Sequence, residues 1–105
     1  MAFVATTHGV TISMNAKSFV VVLRPAPGFG KPETNEIIEK HFQYLKSLHS
    51  GGEVRVAGRF SDVLIGLVMI QADTKQDAWR IVNEDPAVKA KVFHAELYEW
   101  TIAIG

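Results

Sequence analysis

Gly51-Gly52-Glu53-Val54-Arg55-Val56-Ala57-Gly58-Arg59-Phe60-Ser61-Asp62-Val63-Leu64-Ile65-Gly66-Leu67-Val68-Met69-Ile70 decides the fold. The first half, after the two glycines, alternates well enough for a strand, and Ser61-Asp62 turns the chain into an unbroken apolar run. The spacing predicts a hairpin of two strands. A run with no polar residue on either face, Val63 to Ile70, suits a central strand covered on both sides.

Upstream of the hairpin, Ile37, Ile38, His41, Phe42, Leu45 and Leu48 recur at spacings of three and four, which predicts an amphipathic helix from about Glu33 to His49. Thr34 or Asn35 can cap its start, and Gly51-Gly52 supplies a left-handed stop. Before the helix, Phe19 to Leu23 is a mostly β-branched apolar run that ends at Arg24-Pro25-Ala26-Pro27-Gly28, a buried strand followed by a loop. Downstream, Asp73 or Thr74 caps a second helix with Ala78, Trp79, Ile81 and Val82. That helix ends near Glu84 because Pro86 disfavours helical geometry at Asp85. A short helical turn restarts at Pro86, and a last strand runs from about Val92 to Ile102, with Phe93, Ala95 and Leu97 on one face and His94, Glu96, Tyr98 and Trp100 on the other.

Strand, helix, two-stranded hairpin, helix, strand is the α+β, ferredoxin-like βαββαβ pattern: a four-stranded antiparallel sheet carrying both helices on one face. The other face would then present apolar and aromatic side chains to water over more area than a monomer tolerates. A homodimer packed sheet against sheet is the simplest cover, and higher oligomers are allowed.

The 105 residues, 48% hydrophobic, suffice for one core and not for two domains. Eleven Lys and Arg balance eleven Asp and Glu, so no long-range attraction draws the chain to nucleic acid or to a membrane surface. The longest apolar run is far shorter than the roughly 20 residues that cross a bilayer, and the N-terminus lacks the basic and apolar regions of a secretory signal; a cytoplasmic protein is expected. With no cysteine, thiolate metal sites and cysteine nucleophiles are excluded. Histidine and carboxylate spacings suit no metal, and Gly28-Phe29-Gly30 is not followed by the third glycine of a dinucleotide cradle, so no cofactor is expected.

Two residues carry candidate chemistry. His41 falls on the inward stripe of the first helix and needs a partner; it is either a core imidazole bonded to the main chain or a general base held by a carboxylate. Asp85, in Asn83-Glu84-Asp85-Pro86-Ala87-Val88, is either a plain N-cap or a catalytic carboxylate. His8, His49 and His94 read as surface or satisfied residues. Arg59 and Arg24 are candidate anion contacts, and Tyr44, one turn beyond His41, is either a substrate donor or a packing residue.

The stretch His41-Phe42-Gln43-Tyr44-Leu45 through Leu48, Gly52, Val54 and Ala57-Gly58 resembles the H-x-x-Y-L-x-x-L-x-x-x-G-x-(apolar)-x-x-A-G segment of YCII-related proteins. Asp85-Pro86-Ala87-Val88 is similar to their D-P-(F/Y/A)-V element, and Tyr98-Glu99-Trp100 to their closing strand. The resemblance starts near Met14, which makes residues 1–13 an N-terminal extension and residues 14–105 the domain. It implies a dimeric α+β barrel with an active site built on His41 and Asp85, and lyase or isomerase chemistry on small cyclic or chlorinated aromatic-derived compounds; Arg24, Tyr44, Gly58, Arg59 and Ser61 are the candidate substrate contacts beside that pair. One departure stands out: Arg59 occupies a place where the family commonly has proline. The competing expectation is a non-catalytic dimeric module that binds a small ligand or a protein, since fold alone does not separate the two.

Overall fold

The computed structural model describes residues 4–7, 10–13 and 16–105, with side chains from residue 16 onward; His8 lies outside them. Two short strands, β1 (Val4–Thr7) and β2 (Val10–Ser13), pair antiparallel with each other. The rest runs β3 (Lys17–Pro25), α1 (Thr34–Ser50), β4 (Val54–Arg59), β5 (Gly66–Ala72), α2 (Lys75–Asn83), α3 (Pro86–Lys89) and β6 (Phe93–Glu99). The last four strands form one antiparallel sheet in the order β4-β5-β3-β6, the ferredoxin-like arrangement.

Side-chain alternation places the core. In β3, Phe19, Val21 and Leu23 are buried, and their cross-strand partners Ile70, Val68 and Leu97 are buried with them. Ala78 and Val82 of α2 belong to the same cluster, with Leu45 and Leu48 of α1 packed against it, so both long helices cover one face. Val20, Val22, Leu67, Met69 and Tyr98 point the other way; Tyr98 is 55% exposed and Trp100, just past β6, is 44% exposed. No helix among the described residues is long and apolar enough to cross a membrane.

Four details depart from the sequence expectation. The hairpin loop is longer: β5 begins at Gly66, not Val63, and Phe60 N–H donates to the Ile65 carbonyl at 3.0 Å to close a loop whose tip, Leu64, is 62% exposed. A two-residue hairpin turn needs positive φ at its centre, which Ser61-Asp62 does not adopt. Thr34 does not cap α1; Glu33 holds the cap position, and the Thr34 hydroxyl instead accepts from Gly30 N–H at 3.0 Å. The final strand stops at Glu99 rather than Ile102, although Trp100 N–H still donates to the Ser18 carbonyl.

The fourth departure is a bulge in β4. Val54 stands opposite Ile70 but Val56 stands opposite Met69, leaving Arg55 as the additional residue. Because side chains alternate faces, one inserted residue reverses the facing of everything after it. Ala57 thus pairs with buried Val68, and Arg59 with Gly66, on the helix-covered side.

Gly28 has a structural use unrelated to phosphate. Its N–H donates to the Lys91 carbonyl at 2.8 Å, and a Cβ there would lie 2.6 Å from that oxygen. Only glycine lets the loop after β3 lie this close to the segment entering β6. The contact brings Phe29 to Phe93, ring centroids 6.2 Å apart.

Candidate active site

His41 and Asp85, 44 residues apart in sequence, meet in the fold. His41 Nδ1 and Asp85 Oδ2 are 2.7 Å apart, and the residues are 5% and 4% exposed. Each is placed by a local rule. His41 falls on the inner stripe of α1, as the apolar spacing requires, and its ring lies edge-on to Phe93 with centroids 5.3 Å apart. Asp85 is the N-cap of α3: extended backbone at Asp85, Pro86 in the first turn, and Oδ1 accepting from Ala87 N–H at 2.8 Å. The capping bond fixes the carboxylate through one oxygen and leaves the other for the imidazole.

This division of labour sets the tautomer. A carboxylate only accepts, so Nδ1 carries the hydrogen and Nε2 of a neutral ring carries a lone pair. No described residue bonds Nε2, and no buried polar side-chain atom among the described residues lacks a partner; Nε2 therefore reaches open space.

That space is a half-open cavity of about 1080 Å³ between α1, β4 and the loop before β5, with His41 in its wall. Aromatic and aliphatic groups dominate the lining near the histidine, notably Phe29, Ile38, Phe42 and Phe93. Gly58 and Arg59 line it as well. A pocket that is mostly apolar with few convergent polar groups is the usual form of a small-molecule site.

Arg24, Tyr44 and Ser61, also read as substrate contacts, are not in that wall. Arg24 lies on the open sheet face, where its Nε is 3.1 Å from Glu96 Oε1. Ser61 is exposed in the loop between β4 and β5. Tyr44 points toward α2, and its hydroxyl donates to the Ile81 carbonyl at 2.6 Å, tying α1 to α2. Burial first, and then the carboxylates of Glu84, Asp85 and Glu53, push its phenol up to about 12, so it stays a neutral donor. Partial burial likewise raises the Glu53 carboxyl.

Sequence reading missed Lys46 and Arg55, which line the cavity. Lys46 flanks the inward stripe of α1 at a spacing that reads as solvent-facing, and Arg55 reaches its place through the bulge. Among the described residues, no group of three or more His, Asp or Glu is arranged to hold a metal.

Comparison with known proteins follows the same outline. Residues 18–101 match the sequence model of YCII, the YCII-related domain. The uncharacterized protein YjpA of Bacillus subtilis (strain 168) is 28% identical over 67 residues, covering 64% of this chain and 79% of YjpA. Among solved structures, 5-chloro-2-hydroxyhydroquinone dehydrochlorinase (TftG) from Burkholderia phenoliruptrix AC1100, in complex with 2,5-dihydroxybenzoquinone, superposes with a TM-score of 0.56 at 18% identity, covering 79% of this chain and 93% of that one. At that identity the likeness is one of fold.

Proposed function

The chain belongs to the YCII-related family, and from that premise we propose that it is a small-molecule enzyme of lyase or isomerase type, in which His41 removes a proton from carbon and Asp85 holds the imidazole. The observation that carries the reading is the 2.7 Å His41–Asp85 bond at the wall of a large open cavity, with Nε2 unbonded. A buried carboxylate on Nδ1 orients the ring and stabilises the imidazolium once Nε2 has taken a proton. Among the described residues no hydroxyl is bonded to Nε2 as a nucleophile would be, so the chemistry is proton abstraction next to an electron-withdrawing group. The electron pair left on carbon then either expels a leaving group such as chloride or shifts a double bond, with His41 returning the proton elsewhere.

The dehydrochlorinase of similar fold and its dihydroxybenzoquinone complex make hydroxylated or halogenated rings the first compounds to test. Incubated in heavy water with hydroxyquinones, halogenated phenols and cyclic carboxylates, the protein should accelerate exchange of a carbon-bound hydrogen, or halide release, at least about a hundredfold over buffer. Nuclear magnetic resonance and a halide electrode read the two outcomes. Binding without either reaction would favour the alternative, a non-catalytic ligand-binding or interaction module.

We also infer a homodimer through the open sheet face. Val20, Val22, Leu67, Met69, Tyr98 and Trp100 form a contiguous apolar surface on strands whose other face is core. Exposed patches of that kind mark interfaces in soluble domains. Sedimentation at micromolar concentration should give twice the mass of one chain, and Leu67→Asp should shift it to one; a wild-type monomer would refute the interface.

A further inference from the structure

We propose that the substrate is an elongated anion, with its reacting carbon at His41 and a carboxylate at its far end held by Lys46 and Arg55. The inference rests on reading the cavity as the active site and adds the class of molecule it takes.

The first support is an imbalance of charge. The chain has eleven basic and eleven acidic residues. Lys17, Arg24, Lys40 and Arg80 each pair with a carboxylate. The other seven form no ion pair among the described residues; three of these, Lys46, Arg55 and Arg59, line the cavity, whereas no aspartate or glutamate does. In a chain with no net charge, three uncompensated cations around one hollow repel one another, and an anion entering it relieves that repulsion.

The second support is how the arginines arrive. Without the bulge, strict alternation from Val54 would carry Arg59 to the open sheet face. The additional residue returns Arg59 to the cavity side and is itself Arg55. An irregularity of this kind re-aims side chains, here two arginines at once.

The third support is distance. Lys46 lies about 7.5 Å beyond His41 along the α1 axis, from the rise per helical residue. Arg55 follows the tight link from the end of α1, so it stands near the same end of the cavity. The wall between is apolar, with Phe42 and Leu45. About 1080 Å³ is far more room than a bare ring fills and suits a ligand of drug size. A ring or short conjugated chain at His41, an apolar arm, and a terminal carboxylate match this succession. Arg59 is left to face charge developing near the reacting end.

The probes are 4-(2,5-dihydroxyphenyl)butanoate and its methyl ester, which share a ring and an arm and differ in the terminal charge. Titrated by calorimetry into the full chain at low salt, the acid should bind at least about tenfold tighter than the ester, a ratio expected of a charge-assisted contact. The preference should shrink toward unity in 0.5 M salt, a screening test probe on the order of what closes surface electrostatics. Lys46→Gln/Arg55→Gln should remove it while leaving ester affinity within about twofold; both residues are exposed, so the fold is kept. Equal affinity for acid and ester, no binding of either, or a preference that survives the double substitution overturns the proposal. His41→Asn should retain the preference. A chain that prefers the acid but catalyses no exchange therefore loses the proposed chemistry and keeps the anion site, and the reverse result does the opposite.

Discussion

His41→Asn should lower kcat/KM by about three to four orders of magnitude and leave the protein folded. Removing a general base costs about 10²–10⁴ in rate, and the upper part of that range is expected because His49, the other imidazole in the cavity lining, stands about 12 Å farther along the α1 axis. Asparagine is chosen because its side-chain amide nitrogen falls close to where Nδ1 lies. It can donate to Asp85 Oδ2 in place of the imidazole and spare the carboxylate an unpartnered burial. What disappears is Nε2 and the outer half of the ring. The lost packing against Phe93 costs about 1–2 kcal/mol, so the melting temperature falls by some degrees without loss of cooperativity. Steady-state kinetics and thermal melts of both proteins read the two quantities separately. Activity retained within about threefold would remove His41 from the reaction, whatever its contact with Asp85.

The elements that position this pair are those with strong local signals. The three-and-four spacing from Ile37 to Leu48 places His41 inward on α1, and Asp-Pro after a helix gives both the N-cap and the restart of α3. Their contact could not be read that way, because it depends on how α3 docks against α1 after 44 residues of intervening chain. Only the family resemblance joined them in the sequence. Tyr44 illustrates the opposite limit: its spacing from His41 suggests a shared face, yet one turn of helix is enough rotation to deliver its hydroxyl to the Ile81 carbonyl of α2. Arg24 falls on the open side of β3, beside Glu96, and its position follows from strict alternation with buried Leu23.

The β4 bulge had no sequence mark. Val54-Arg55-Val56-Ala57-Gly58-Arg59 fits an uninterrupted strand, and the register shift is visible only against Ile70 and Met69 of the partner strand. The loop before β5 was hidden for a related reason. Hydropathy assigned Val63 and Leu64 to the buried run, but without positive-φ residues at the turn the chain cannot reverse in two residues, and those apolar groups are left at the cavity mouth. Local pattern therefore fixed which elements exist, while pairing geometry decided which side chains reach the cavity.

Asp85→Asn tests the pair from its other member, and here the expected effect is a reversal of the histidine tautomer. Ala87 N–H donates to Oδ1, and this bond constrains how an asparagine amide can sit. With its oxygen toward Ala87, the amide keeps the α3 cap and turns NH₂ toward His41; the flipped amide would set NH₂ against the Ala87 N–H, two donors facing each other in a buried site. The favoured orientation donates to Nδ1. His41 must then carry its hydrogen on Nε2, where the mechanism needs a lone pair. In a Ser-His-Asp hydrolase, the corresponding change of carboxylate to amide costs about 10⁴ in kcat through the same inversion, and a loss of about 10³–10⁴ is expected here. Nitrogen-15 shifts of the His41 ring should show the proton on Nδ1 in the wild type and on Nε2 in the variant. Asp85→Ala separates structure from tautomer: it strips partners from both Nδ1 and the Ala87 N–H and should cost about 2–5 kcal/mol in stability, whereas Asp85→Asn should lose much less. Full activity in Asp85→Asn, with the ring proton moved to Nε2, would mean that His41 acts as a donor and not as the base.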